Sequence, residues 1–96
     1  IRQGDGPKLI KDTLSTFDKT YVSVDLDVLD PAFAPGVGNP EAVGITSREL
    51  FDMIYSLEGK IISCFDIVEL NPTYDNGSTA AIAAKLMSTI IAMNIK

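Results

Sequence analysis

The amino-acid sequence predicts an α/β fold built on a parallel sheet. Helix-like and strand-like segments alternate along the chain, which implies βαβ units with right-handed crossovers. The second strand-like segment is almost continuously apolar, as in strands covered on both faces. The closing helix is apolar nearly all round, which calls for burial on more than one side. At 96 residues the chain holds one domain at most.

The elements follow in order. Gly4 to Pro7 reads as a turn, with Pro7 suited to a first helical position. Leu9, Ile10, Leu14 and Phe17 then recur at helical spacing. Tyr21 to Leu26 is the first strand, with Tyr21, Ser23 and Asp25 on one face and Val22, Val24 and Leu26 on the other. Val28 to Gly44 is a long connection punctuated by Pro31, Pro35, Gly36, Gly38, Pro40 and Gly44, a pattern that favours an ordered, functional loop. Thr46 and Glu49 have the spacing of a capping box, in which each side chain accepts the other's backbone N–H. Leu50, Phe51, Ile54 and Leu57 form the apolar face of that helix, and Gly59 fits a left-handed C-terminal position. Ile61 to Leu70 is the second strand, stopped by Asn71-Pro72, and Gly77 to Asn94 is the last helix, with Lys85 its only charge.

Composition narrows the chemistry. Hydrophobic residues make up 46% and charged residues 22%, near the globular average, so a packed core is expected. A chain of this size buries roughly 60–65% of its unfolded surface, which makes a marginal core. The net charge of −5 argues against nucleic-acid or polybasic membrane partners. There is no histidine, so this chain alone builds no Ser-His-Asp triad, Cys-His pair or His-ligated metal site. The single cysteine, Cys64, excludes an internal disulfide and suits a reducing, cytoplasmic setting. Its apolar surroundings predict a buried small hydrophobe. The chain begins at Ile1 and shows no secretory leader pattern; the expectation is that a natural start lies upstream.

Chemistry concentrates in the run from Val22 to Pro31, which contains Asp25, Asp27 and Asp30. Period-two geometry predicts Asp25 and Asp27 on one side at the carboxyl end of a strand, where open parallel sheets bind ligands. Two carboxylates roughly 6 Å apart repel by about 3 kcal/mol at an effective dielectric near 20. A divalent cation removes that repulsion, and oxygen ligands suit Mg²⁺, Mn²⁺ or Ca²⁺. The bland alternative is that these acids only cap turns. A calcium loop requires a glycine where Asp30 stands. A phosphotransferase of the haloacid-dehalogenase type, with Mg²⁺, also places D-x-D after an apolar strand, but expects Thr or Val where this chain has Leu29.

The run Ser23-Val-Asp-Leu-Asp-Val-Leu-Asp-Pro-Ala-Phe-Ala-Pro-Gly-Val-Gly-Asn-Pro40 closely resembles the signature of the ureohydrolase family, which includes arginases and agmatinases. The later run Asp66-Ile-Val-Glu69-Leu-Asn-Pro72 resembles that family's second C-terminal motif. The resemblance spans about Tyr21 to Pro72, with the helix from Gly77 in the place of the closing helix. The phrasing Asp-Pro-Ala-Phe-Ala-Pro-Gly is most similar to the agmatinase branch.

The resemblance implies a three-layer, parallel-sheet arginase-like fold, of which residues 1–96 are the C-terminal part of a single ureohydrolase domain. It implies two Mn²⁺ ions, with metal-activated water attacking a guanidinium carbon and urea leaving. By motif position Asp25 would bridge both ions and Asp27 would hold one. Glu69 would face the guanidinium of a small guanidino substrate. Asn39 lies in the substrate loop, where the family commonly carries Thr; it retains a hydrogen-bonding side chain. Asp30 would brace the loop, and Asp66 would be a structural acid supporting the site. The family's remaining ligands, two His and further Asp, belong to upstream motifs of the Gly-Gly-Asp-His and Asp-Ala-His-x-Asp type that this chain lacks.

The expected activity is therefore agmatine hydrolysis to putrescine and urea by the complete, homo-oligomeric, cytoplasmic enzyme, with the segment inactive alone. Its partners would be the substrate and the rest of the domain, with no nucleic acid or membrane. The competing reading is a short interaction module that docks through the Gly77–Asn94 helix. The gene sequence just before Ile1 separates the two.

Overall fold

The structure, a computed structural model, describes residues 5–95. Gly4, the expected first residue of the opening turn, lies outside the described residues. The elements are α1 (Gly6–Leu14), β1 (Lys19–Asp25), a 3₁₀ turn (Leu26–Val28), α2 (Ser47–Tyr55), β2 (Ile61–Val68), a second 3₁₀ turn (Pro72–Tyr74) and α3 (Ser78–Asn94). β1 and β2 pair in parallel, as the alternation of elements requires.

Local chemistry explains the boundaries. Pro7 sits in the first turn of α1, where its missing N–H costs nothing. Phe17 falls beyond the end of α1 and is exposed, so it does not extend the helical face. The capping box of α2 forms in full: Glu49 N–H donates to Thr46 Oγ1 at 3.1 Å and Thr46 N–H donates to Glu49 Oε1 at 3.0 Å. α2 ends at a Ser56 cap, and Gly59 takes its positive φ of 88° in the turn beyond rather than at the helix end.

The pairing register runs Tyr21↔Cys64, Ser23↔Asp66 and Asp25↔Val68, with Val22 beside Phe65 and Val24 beside Ile67 on the opposite face. A bulge near Thr20 leaves Ser63 as the extra residue, and Ser63 Oγ donates to Thr20 O. Val22, Val24, Phe65 and Ile67 join one hydrophobic cluster with Ile10 and Leu14 of α1, Leu50 and Ile54 of α2, and Leu86 and Ile90 of α3. The three helices therefore share one side of the sheet. Lys85 of α3 lies 6.0 Å from the Phe51 ring of α2 and adds a cation–π contact between two of them.

Two sequence-based expectations change at this point. Cys64 is exposed rather than buried, because its face of the sheet is bare among the described residues. α3 is buried on one side only, with Met87 and Ile91 exposed. The described residues thus make two layers of a three-layer α/β architecture. Among them, no helix is long and apolar enough to cross a membrane.

The long loop after β1 is ordered by buried anchors. Leu29, Ala34 and Val37 are all fully buried. Leu29 bridges Ile45 in parallel, Asp30 N–H donates to Ile45 O and Ile45 N–H to Val28 O, each at 2.9 Å. The two ends of the loop pass so closely at Gly44 that a Cβ there would meet Asp30 N at 2.5 Å.

Candidate metal centre

β1 ends at Asp25, and the chain then tightens into the 3₁₀ turn Leu26–Val28. Period-two geometry therefore does not reach Asp27. The pair is organised instead by the turn: Asp25 Oδ1 accepts the Asp27 N–H at 2.9 Å. Between them Leu26 is fully buried and pins the turn to the core. Asp27 Oδ1 is buried with no hydrogen-bond partner. A buried carboxylate oxygen without a partner is costly, and a cation is the natural group to relieve it. Asp25 and Asp27 thus fit a divalent metal. Among the described residues no three His, Cys, Asp or Glu side chains cluster to hold one, so this pair is an incomplete ligand set.

Glu69 stands one residue past β2, and the register puts Val68 beside Asp25, so the two acids lie at the carboxyl ends of neighbouring parallel strands. The Glu69 backbone is left-handed, with φ 73°. For a residue with a Cβ this costs about 1–3 kcal/mol and persists only where surroundings enforce it. The enforcing contacts come from the loop carrying Asn39. Val37 bridges Leu70 antiparallel, Gly38 N–H donates to Glu69 O at 3.3 Å, and Asn71 N–H donates to Gly36 O at 2.6 Å. A Cβ on Gly38 would stand 2.6 Å from Glu69 Oε2. Asn39 is exposed immediately after this contact.

Asp30 caps the turn that follows it: its Oδ1 accepts the Ala32 N–H at 2.9 Å, and its carbonyl accepts from Phe33 and Ala34. Asp66 joins the two strands on the bare face. Its Oδ1 accepts Ser23 Oγ–H at 2.5 Å and its Oδ2 accepts the Tyr21 hydroxyl. The Ser23 and Tyr21 hydrogen bonds hold the Asp66 carboxyl below its ordinary pKa, and the same Asp66 contact raises that of Tyr21.

Sequence reasoning passed over Asp75 and Thr79. Asp75 accepts the Thr79 and Ala80 N–H groups, each at 3.0 Å, across the start of α3. Burial pushes its carboxyl up, but those N–H donors outweigh it and lower the pKa. Thr79 is fully buried and accepts the Gly36 N–H at 2.8 Å. An Asp just ahead of a Gly-Ser-Thr helix start is a readable signal for the cap; the contact with Gly36 is not.

In open parallel α/β sheets the carboxyl edge, where these acids gather, is the usual place for a ligand site. Comparison with known proteins makes this specific. Residues 3–93 match the model of the arginase family. The chain is 44% identical over 75 residues to guanidinopropionase of Pseudomonas aeruginosa, covering 77% of this chain and 24% of that protein. Agmatine ureohydrolase of Thermoplasma volcanium superposes with a TM-score of 0.84 at 40% identity, over 96% of this chain and 31% of that one. Trypanosoma cruzi formiminoglutamase, described with Mn²⁺, superposes with a TM-score of 0.80 at 28% identity, over 95% of this chain and 32% of that one. The chain belongs to the arginase family, and its fold is part of the arginase-like α/β fold. It spans 16–24% of the length of the curated relatives it matches.

Proposed function

We propose that this chain is the C-terminal part of a single ureohydrolase domain that hydrolyses a guanidino compound and releases urea. The observation that carries the reading is the β1–β2 register, which sets Asp25 beside the residue preceding Glu69. A negative pair suited to metal and a third acid suited to a cationic guanidinium then share one sheet edge.

In this reading Asp25 would serve as a ligand to both Mn²⁺ ions, and Asp27 would hold one of them through the oxygen that is otherwise unpartnered. When bound, the ions supply Lewis acidity and a water that is readily deprotonated near neutral pH. Glu69 pairs with the planar guanidinium through charge-assisted hydrogen bonds and fixes its orientation. Asn39 contacts the substrate from the loop, Asp30 braces that loop, and Asp66 ties the strands beneath the ligands. The remaining ligands come from the rest of the domain, which covers the bare face of the sheet.

Agmatine is the proposed substrate, yielding putrescine and urea. The Asp30–Gly36 phrasing and the similarity to an agmatine ureohydrolase support it. The complete enzyme is proposed to be a cytoplasmic homo-oligomer. The test is urea release by the complete protein with Mn²⁺ from agmatine, arginine and guanidino acids. Preferred turnover of agmatine is expected. Preferred turnover of another of these compounds overturns the substrate, and no urea from any of them overturns the activity.

A further inference from the structure

The left-handed backbone of Glu69 lies against the segment Gly36–Gly38, so the contacts that fix that segment bear on the acid. The segment is fastened on both sides. Toward Glu69 it makes the Val37–Leu70 bridge and the Gly38–Glu69 and Asn71–Gly36 backbone hydrogen bonds. Toward α3, Gly36 N–H reaches the hydroxyl of Thr79, a polar side chain with no exposure in an apolar layer beside Ala83. Gly36 also has no space for a side chain: a Cβ would stand 2.6 Å from Asp75 Cγ. Asp75 in turn accepts the Thr79 and Ala80 N–H groups, so the clamp is locked to the helix start.

We propose that Thr79 is a positioning residue for Glu69, acting through Gly36 to hold the substrate loop against the guanidinium-binding acid. The proposal rests on the reading of Glu69 given above and deepens it. Replacing the Thr79 hydroxyl frees the Gly36 N–H, lets the loop lift, and removes the constraint on the Glu69 backbone. The hydrogen bonds of Thr79 go to Gly36 and Asp75 and not to Asp25 or Asp27, so the effect is expected on substrate binding and not on the metal.

The test compares variants of the complete enzyme with agmatine, recording KM, kcat, bound Mn²⁺ and melting temperature. Thr79→Val keeps the shape and loses the hydroxyl; KM is expected to rise about tenfold, the equivalent of one hydrogen bond, with kcat and Mn²⁺ retained. Thr79→Ser keeps the oxygen and restores KM. Gly38→Ala, at an exposed position free of positive φ, pushes the Glu69 carboxylate directly and raises KM even if Thr79→Val fails to fold. A raised KM in Glu69→Gln with an unchanged KM in folded Thr79→Val, or in Gly38→Ala, overturns the clamp alone. Unchanged KM in Glu69→Gln overturns the reading of Glu69 and the clamp with it. A lower melting temperature in Thr79→Val without a change in KM marks Thr79 as merely structural and overturns the proposal.

Discussion

Ser23 donates its hydroxyl to Asp66 across the β1–β2 pair at 2.5 Å, directly beneath the strand ends that carry Asp25 and Glu69. The Tyr21 hydroxyl binds the other Asp66 oxygen. One carboxylate thus ties three positions of a two-stranded sheet and helps hold its register.

That contact gives the chain a defined response to pH. The Asp66 pKa is lowered from 3.8, so its contribution to stability is present above that value and is lost as pH falls through the lower folded value. Tyr21 is raised from 10.0, so its contribution is present below that value and is lost as pH rises through the higher folded value. Melting temperatures across pH should show both losses in the native chain. The acid-side loss should be smaller in Asp66→Asn, and an identical acid-side profile would contradict the assignment.

The capping box at α2 should be measurable separately. Thr46→Ala removes the acceptor for Glu49 N–H and should cost about 1 kcal/mol. Because Glu49 reaches back to Thr46 N–H, a double-mutant cycle with Glu49→Ala in urea should show positive coupling. Simple additivity would mean the two halves act independently.

Two glycines should respond differently to the same change. At Gly44 an added Cβ meets backbone atoms of Leu29 and Asp30, which cannot swing aside, so Gly44→Ala should destabilise by about 1–3 kcal/mol. At Gly59 there is open space, and only the positive φ opposes alanine, at about 1 kcal/mol. Denaturant midpoints for the two variants check the order; a larger loss at Gly59 would contradict the close approach at Gly44.

Metal binding by the 96-residue chain should be weak, because Asp25 and Asp27 supply two ligands where two ions need far more. Calorimetric titration with Mn²⁺ should detect no tight site. Submicromolar affinity would show that this chain completes a metal site by itself.

The legible parts of the molecule were those set by neighbours in sequence. Thr46 and Glu49 announce their capping box because both partners lie within one helical turn. The apolar run around β2 announces a parallel sheet. Cys64 misled because its apolar neighbours in sequence say nothing about which face it takes, and that face is bare among the described residues; the strand placement of Asp27 failed because the chain leaves the strand at Asp25. The backbone of Glu69 was illegible because it is imposed by Gly36–Gly38, more than thirty residues away, and Ala34 and Val37 are core anchors hidden in a stretch that reads only as turns.

The central claim is that Asp25 is a shared metal ligand of a ureohydrolase site, and Asp25→Asn in the complete protein tests it most directly. The substitution keeps size and removes charge, so Mn²⁺ content and urea release should both collapse while the fold persists by circular dichroism. Native Mn²⁺ content with undiminished urea release would contradict the account.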